Sequence, residues 1–461
     1  LRLGDSYFVT SDYWSAMEAY NEAIGMKGID SDYAYFQKAI SYGFVDKNDR
    51  KIEDLEAFLN KYNKSIYRDD ALYELGNTYV AENNTQKGIQ TYNRLLNEAP
   101  HSSFASKTLL KQGLIYYNDD QSQEALDKFK RVVKEYPGTE EANQAVKTAR
   151  VIYVDLGRTD EYAAWVKTLD FVEVSDSDID NATYEAAENQ FIENNTEAAK
   201  KGFQKYLNEF SNGLHALSAH FYLGQLHYRD EEKNEALPHY KYVVEQPRNE
   251  FTEQALARLS QIYLENKNYQ AAIPILERLE QEADFPQNIT FAQSNLMKSY
   301  YQLKNYANTV KYAEKVLQNS KIENSVKSDA QVFIARSAIQ TGDEEKAKKA
   351  YQEVRKIATG SLAAEAQYYD AYFKREDGDF TGSNEAAQIL ARDYSGYKKW
   401  GAKGLLLMGK NFYDLGDAYQ ATYVLDALIE NFGDYPEVTQ EAQTELNRIK
   451  SKEAETNSSV E

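Results

Sequence analysis

One segment of the chain has nearly the spacing that nucleotide binding would need. The stretch GLLLMGKN, Gly404 to Asn411, fits the phosphate-loop pattern GxxxxGK[ST] except at its last position. Such a loop follows a strand and uses a hydroxyl group to bind magnesium, whereas Asn411 carries an amide. Gly409 also belongs to a recurring set of small residues with helical spacing. The sequence therefore predicts no nucleotide site here.

Four of the five histidines lie close together in the sequence, which suggests a metal site: His215, His220, His227 and His239. His220 and His227 are seven residues apart, so on one helix they would lie about 10 Å apart along its axis. That separation is too large for both to bind one zinc ion. We predict that these histidines are core or surface residues and that the chain binds no metal.

Asp176, Asp178 and Asp180 cluster in FVEVSDSDIDNA, Phe171 to Ala182. A calcium-binding loop would need a glycine and a distal glutamate, and both are missing here. A break in helical spacing and a high acidic content are typical of a solvated linker. We predict a linker rather than a cation site over residues 171–182.

The many Asp and Glu residues always permit a glycosidase-like carboxylate pair, but nothing in the sequence distinguishes one. Sugar-binding clefts usually carry aromatic platforms, and the three tryptophans are scattered as Trp14, Trp165 and Trp400. No GxSxG or HExxH motif occurs. We predict no catalytic residue and no cofactor, and we expect that the chain is not an enzyme.

The elements that would position any site follow a repeated pattern. The clearest copy starts at Leu75 and has a small residue at +1 and +13 and an aromatic at +4 and +17, namely Gly76, Gly88, Tyr79 and Tyr92. We call the first residue of each copy its anchor, and the eight clear anchors are Leu3, Leu75, Gln112, Leu223, Leu259, Leu296, Ile334 and Met408. A fixed period of this size indicates a solenoid made from one supersecondary unit.

Each copy contains two apolar stripes with i, i+3, i+4 spacing, separated by a short polar break. This pattern predicts a helical hairpin. The small residues let the two backbones approach, and the aromatic rings fill the space around the contact. A single hairpin cannot bury both stripes, so each unit must stack on its neighbours.

These residues resemble the signature of the tetratricopeptide repeat: a Leu-Gly pair, a Tyr, a small residue, an aromatic, an Ala and a Pro. Anchors lie 36 to 38 residues apart, for example from Leu223 to Leu259 and from Leu296 to Ile334; the usual period is about 34. This longer form resembles large multi-repeat envelope proteins of two-membrane bacteria. The resemblance implies an all-α fold, a right-handed α-α superhelix of about twelve hairpins with a C-terminal capping helix.

Composition narrows the function classes. The 53 basic and 73 acidic residues give a net charge of -20, which argues against nucleic acid as a partner. No apolar run is long enough to span a membrane, so we expect no direct membrane insertion of this segment. The absence of cysteine is compatible with either redox compartment.

We predict five regions along the chain. Residues 1–170 form an N-terminal repeat segment that starts inside a repeat, and residues 171–182 form the acidic linker. Residues 183–436 form a C-terminal repeat segment, 437–452 a capping helix and 453–461 a disordered tail. Any signal or lipid anchor would lie upstream of Leu1.

The resemblance implies that first helices line a concave groove, with the residue five positions after each anchor facing it. An aromatic occupies that position in five clear repeats and suggests a ladder for an extended segment or helix, with polar groups beside it. The alternative is that a chain with 38 tyrosines places some everywhere. The predicted partner-binding residues are Phe8, Asn77, Tyr117, Gln225, Tyr228, Arg229, Gln261, Lys298, Tyr301 and Tyr413.

The long-period repeat and the acidic charge favour a non-catalytic scaffold in cell-envelope assembly or transport, bound to a protein partner in the groove. We expect it in the periplasm or on the periplasmic face of the outer membrane. Two alternatives stay open: a helical accessory or catalytic domain acting on glycan or peptidoglycan, and a cytosolic assembly adaptor in the cytoplasm.

Overall fold

The computed structural model describes residues 1–26 and 31–458 of the chain. Within these ranges it contains 25 α-helices and no strand, which confirms the predicted all-α repeat fold. The chain divides into two compact units, Leu1–Leu226 and a second unit from His227 onward. This division falls inside helix α13, not at the linker predicted over 171–182.

In the first unit each helix from α1 to α11 contacts the next helix along the chain. The helices are α1 (Arg2–Val9), α2 (Tyr13–Gly25), α3 (Ser31–Gly43), α4 (Asn48–Lys61), α5 (Arg68–Ala81), α6 (Thr85–Glu98), α7 (Ala105–Asn118), α8 (Ser122–Glu135), α9 (Glu140–Asp155), α10 (Thr159–Val166), α11 (Asp176–Ile192), α12 (Thr196–Glu209) and α13 (Ala216–Arg229).

In the second unit each helix from α14 to α24 likewise contacts the next. The helices are α14 (Lys233–Glu245), α15 (Thr252–Glu265), α16 (Tyr269–Glu282), α17 (Pro286–Gln302), α18 (Tyr306–Gln318), α19 (Asn324–Thr341), α20 (Glu344–Ile357), α21 (Gly360–Glu376), α22 (Phe380–Asp393), α23 (Lys398–Asp414), α24 (Ala418–Asn431) and α25 (Pro436–Ser458).

The polar break of each hairpin is a tight turn closed by a residue in the left-handed conformation. Asn83 has φ 58° between α5 and α6, and Gly416 has φ 85° between α23 and α24. The next residue often caps the second helix: the side chain of Asn84 accepts from the N–H of Lys87, and that of Asp417 accepts from the N–H of Gln420. The Asn-Asn and Gly-Asp pairs seen in the sequence thus end one helix and start the next.

The small residues of the repeat allow the close contact that the pattern predicts. A Cβ atom on Gly76 would lie 2.4 Å from Cε1 of Tyr92, and one on Gly113 would lie 2.4 Å from Cε1 of Phe129. Tyr92 and Phe129 are almost fully buried. The aromatic at +17 therefore lies directly on the glycine at +1, where no other side chain would fit.

The segment predicted as a linker is largely helical. Helix α11 begins at Asp176 because Ser175 forms a capping box with Asp178, in which each residue bonds the other's backbone N–H. Residues 176–182 are therefore part of α11, and only 171–175 lack helical structure. Helix α11 also contacts α9 and α10, so helix packing continues across this segment.

The end of the second unit is covered by α25, which contains the residues 437–452 expected to form a cap. Its apolar stripe, Val438, Ala442, Leu446 and Ile449, is buried against α23 and α24. The helix continues to Ser458, so residues 453–458 are helical although we expected them in a disordered tail. The remaining residues of that tail, 459–461, lie outside the described residues.

Candidate protein-binding surface

Odd-numbered helices contact one another in each unit. Besides sequential neighbours, α7 contacts α9 and α9 contacts α11 in the first unit. In the second unit the same contacts join α17, α19, α21, α23 and α25 in succession. We call the exposed surface of the odd-numbered helices the odd-helix face. It is the surface on which the predicted binding residues lie.

All five predicted aromatics of this face are partly exposed, neither fully buried nor fully open: Phe8, Tyr117, Tyr228, Tyr301 and Tyr413. Each lies within the last turns of an odd-numbered helix. Half-burial is the state expected of rings that pack on their own helix layer and still present an edge to a partner.

In the first unit Phe8 and Asn77 are connected through Phe44, which sequence analysis missed. The Phe8 ring lies 5.4 Å from the Phe44 ring, and Tyr13 stacks on Phe44 at 4.6 Å. Phe44 is 55% exposed and lines a cavity of about 350 Å³ that also contains Asn77 and Ile40. The Asn77 Oδ1 atom accepts a hydrogen bond from Tyr92 at 2.7 Å. The exposed Phe44 ring borders this cavity, whose lining also includes the ion pair of Lys51 and Glu74.

In the second unit the structure connects Tyr228 and Gln261 through Arg258. The Arg258 guanidinium lies 4.7 Å from the centre of the Tyr228 ring, and its Nη1 atom donates to Gln261 Oε1 at 3.4 Å. Arg258 has no carboxylate partner among the described residues. A guanidinium stacked on a ring is held in place while its remaining N–H groups stay available.

Arg258 and Gln261 line a cavity of about 500 Å³ between α15 and α17. Phe285, which is 57% exposed, and Phe291 provide its apolar walls. Two of the three acidic side chains of the wall, Asp284 and Glu253, are engaged, and the third is Glu250. Arg248 donates to both carboxylate oxygens of Asp284 at 2.8 Å.

Glu253 of this wall accepts from three donors at the start of α17. These donors are the backbone N–H groups of Asp284 and Phe285 and the side chain of Asn288. The cavity therefore combines two phenylalanine side chains with a largely polar lining that includes one cation without a carboxylate partner.

The other predicted residues lie apart from these two cavities. Tyr301 lies 5.0 Å from the Phe333 ring, and burial raises its pKa above the usual value. The Arg448 guanidinium lies 5.1 Å from the Tyr413 ring. Arg229 is exposed and pairs with Asp230 at 3.6 Å, while Gln225 is half-buried. Tyr117 is partly buried and packs against the hydrophobic core of the first unit.

Ion pairs join successive odd-numbered helices in the second unit, and one uses the predicted residue Lys298. Lys298 pairs with Asp329 of α19 at 3.1 Å, and Arg336 of α19 donates twice to Glu365 of α21. In both pairs the cation lies two residues after an anchor. We call this series the ion-pair ladder. Between α21 and α23 the corresponding positions are Tyr372 and Lys403, and the series resumes with Lys410 of α23, which pairs with Glu441 of α25 at 2.6 Å.

Sequence analysis missed an aromatic cluster on α21 and α23. The Trp400 ring lies 5.4 Å from that of Tyr368, which is 5.0 Å from Tyr369, and Lys403 Nζ lies 5.3 Å from the centre of the Trp400 ring. Burial and the nearby Lys399 lower the pKa of Lys403. Gly378, in the left-handed conformation, places the anchor of this degenerate repeat at Asp370. Tyr372 therefore lies two residues after an anchor, as the predicted residues Asn77, Gln225, Gln261 and Lys298 do.

The segment that resembles a phosphate loop is part of the helical core. Asn411 is fully buried, accepts from Arg375 at 2.6 Å and donates to Ser383 and Asn384. A Cβ atom on Gly409 would lie 2.6 Å from Leu425, so the segment is a helix in the core rather than a phosphate loop. Among the described residues, no group of three His, Cys, Asp or Glu side chains is arranged to hold a metal ion.

Fold and face together define an α-solenoid whose exposed layer is suited to binding another protein. Family models for tetratricopeptide repeats match residues 70–102, 107–139 and 328–358, and a model for a tetratricopeptide repeat-like domain matches 162–289. The chain is a tetratricopeptide repeat protein. This fold is generally a non-catalytic protein-interaction scaffold.

No curated protein matches the sequence. Several solved structures are similar. The yeast Tom70 structure has 12% identity, covers 98% of this chain and 95% of its own, and has a TM-score of 0.32.

The C-terminal part of a repeat protein from Cytophaga hutchinsonii has 18% identity and a TM-score of 0.32, with coverage of 55% of this chain and 98% of its own. MamA has 19% identity, covers 36% of this chain and 91% of its own, and has a TM-score of 0.30. In the described part of the chain, no helix has the length and apolar character of a membrane span.

Proposed function

We propose that the chain is a non-catalytic scaffold that binds an extended segment or helix of a protein partner along the odd-helix face. The observation that carries the proposal is the cavity between α15 and α17. Its volume of about 500 Å³ lies in the range of ligand pockets. It combines an exposed Phe285 and a ring-stacked Arg258, residue types that are enriched at interfaces, with the amide of Gln261.

The half-buried rings along the same layer supply the rest of the contact. Tyr228 stacks against Arg258, which lines the cavity. Tyr301 lies on α17, the helix that forms the opposite wall. Aromatic rings with a polar tip bind with large contact area and little loss of conformational freedom.

The test is a selection of peptides from a random display library against the full chain, followed by affinity measurement on variants. Replacing Tyr228 and Tyr301 with alanine is expected to weaken the selected peptides by tenfold or more, since interface anchors contribute about 1–2 kcal/mol each. Tyr269→Ala, a half-buried tyrosine on the even-numbered helix α16, is the matched control.

Two results would contradict the proposal. Peptides that bind the double variant as tightly as the original chain would exclude the odd-helix face as the binding surface. A collapse of helicity in Tyr228→Ala or Tyr301→Ala would show that these rings are core residues, and Arg258→Ala then tests the cavity alone.

We also propose that the chain acts in the cell envelope, in the periplasm or on the periplasmic face of the outer membrane. The support is the 36- to 38-residue spacing of its anchors, which resembles that of envelope repeat proteins. Fractionation of cells carrying the tagged native gene tests this location. Recovery in the cytoplasmic fraction alone would refute it and favour a cytosolic adaptor.

A further inference from the structure

Two tyrosines on α24 are unusually open to solvent. Of the 38 tyrosines in the chain, only Tyr397, Tyr419 and Tyr423 are exposed rather than buried or half-buried. Tyr419 is 76% exposed and Tyr423 is 64% exposed. They lie four residues apart and therefore share one face of α24. Neither side chain makes a hydrogen bond or ring contact with the described residues, so neither stabilises the hairpin through such contacts.

The other hairpins show that the fold does not require aromatics at these two positions. Tyr419 and Tyr423 are the second and sixth residues of an even-numbered helix. The same two positions are exposed and polar in three other such helices, as Gln123 and Asp127 in α8, Glu345 and Lys349 in α20, and Thr381 and Glu385 in α22. Trp14 in α2 is an aromatic at the second position, but Glu18 occupies the sixth there. The pair of tyrosines is therefore particular to α24.

The surroundings of the two rings are acidic. Asp426 and Glu430 lie three and seven residues after Tyr423, on the same side of the helix, and both are exposed. Asp426 has a distant ion pair with Lys450 at 3.7 Å, and Glu430 has none among the described residues. The net charge of the whole chain is -20. A partner that approaches this surface meets negative charge and two open ring faces, and both attract cations.

We propose that Tyr419, Tyr423, Asp426 and Glu430 form a second interaction surface that binds an arginine- or lysine-bearing segment of a protein partner. The cationic side chains lie on the tyrosine ring faces and pair with the two carboxylates. We call this surface the tyrosine stripe. It lies on an even-numbered helix and does not depend on the odd-helix face proposed above.

The test is a fluorescence anisotropy titration of the full chain with a labelled peptide of alternating arginine and leucine. A peptide with glutamate in place of arginine is the reference. We expect the arginine peptide to bind, and to bind at least tenfold more weakly to the variant Y419A/Y423A. The variant Y419F/Y423F keeps the ring faces and should retain binding, whereas D426N/E430Q should weaken it.

The matched control is Q123A/D127A, which changes the same two helix positions in α8 and should leave binding unchanged. Since the tyrosines are exposed, thermal melting of Y419A/Y423A should equal that of the original chain. Arg258→Ala should also have no effect here, which separates this test from that of the odd-helix face.

Three results would overturn the proposal. Equal binding of the arginine peptide to Y419A/Y423A would show general attraction to an acidic protein. Equal or tighter binding of the glutamate peptide would show that the surface does not select cations. A dimer in sedimentation velocity that dissociates in Y419A/Y423A would show that a second copy of the chain occupies the stripe.

Discussion

Replacing Glu365 with glutamine tests whether the ion-pair ladder stabilises the second unit. The Glu365 carboxylate is 2% exposed and accepts three hydrogen bonds. Two come from Arg336, at 2.8 and 2.5 Å, and one comes from the Tyr351 hydroxyl at 2.8 Å. Burial and the Glu365 charge together raise the pKa of Tyr351 above its usual value, so Tyr351 remains a donor. Glutamine has nearly the same shape but no charge, so the guanidinium loses its counter-ion.

The free-energy cost of this substitution depends on how deeply Glu365 and Arg336 are buried. Removing one partner of a fully buried pair costs about 3–5 kcal/mol. The Arg336 side chain is 34% exposed and gains water when the pair breaks, and glutamine still offers one acceptor to Tyr351. We therefore expect the free energy of local opening to fall by about 2 kcal/mol.

Hydrogen exchange is the suitable assay because a solenoid repeat contacts only its neighbours and the whole chain need not unfold in one step. A loss of about 2 kcal/mol speeds amide exchange by local opening roughly thirtyfold. We expect this change in α19 to α21 and little change in α14 to α16. The matched control is Glu314→Gln, which breaks the exposed pair with Lys346 and should cost under about 0.5 kcal/mol. If the amides of α19 to α21 exchange at equal rates in Glu365→Gln and Glu314→Gln, the ion pair of Arg336 and Glu365 does not stabilise these helices.

Three further predictions concern the core. Gly113→Ala places a Cβ atom 2.4 Å from Phe129 and should cost about 1–3 kcal/mol in urea unfolding, whereas Gly396→Ala, with open space around it, should cost far less. Asn411→Ser completes the phosphate-loop pattern but removes the buried bonds to Arg375, Ser383 and Asn384. We expect lower thermal stability and no nucleotide binding in calorimetry, and measurable binding of ATP would contradict the helical interpretation. Burial lowers the pKa of His220 to about 4, so folding holds it neutral. Neutral His220 contributes fully to stability above a pH of about 6.5, the approximate pKa of histidine in the unfolded chain. This contribution is lost as the pH falls from about 6.5 to about 4. His220→Gln should reduce the loss of melting temperature between pH 7 and pH 4.5, and an equal loss in both chains would contradict it.

The architecture was predictable because the repeat encodes it locally. Gly76, Tyr92 and the turn residue Asn83 recur with fixed spacing, and each has one role in a hairpin that contacts only its neighbours. The length of the linker was not predictable from composition. The acidic residues after Phe171 are equally typical of a solvated linker and of a helix N-terminus, and the bonds between Ser175 and Asp178 select the helix.

The candidate binding surface was only partly predictable. Position relative to an anchor predicted that Tyr228 and Tyr301 face a groove, and the structure places both as half-buried residues on odd-numbered helices. It could not identify Phe44 or Phe285, because both lie in connections between helices where no periodicity applies. The cluster around Trp400 was missed for another reason. Its repeat has Asp370 at the anchor, so only the left-handed Gly378 reveals the register.

The ion-pair ladder has a consequence for the number of hairpins. Lys298 and Arg336 lie two residues after their anchors Leu296 and Ile334, and Asp329 and Glu365 lie five before the anchors Ile334 and Asp370. Loss of α19 and α20 together would therefore bring Lys298 opposite Glu365, which is again a cation opposite a carboxylate at the same positions. Duplication of this hairpin would bring Arg336 of one copy opposite Asp329 of the next. Because these charges are set by position within a hairpin, the α19–α20 hairpin can be lost or duplicated in evolution while the buried Glu365 keeps a cationic partner.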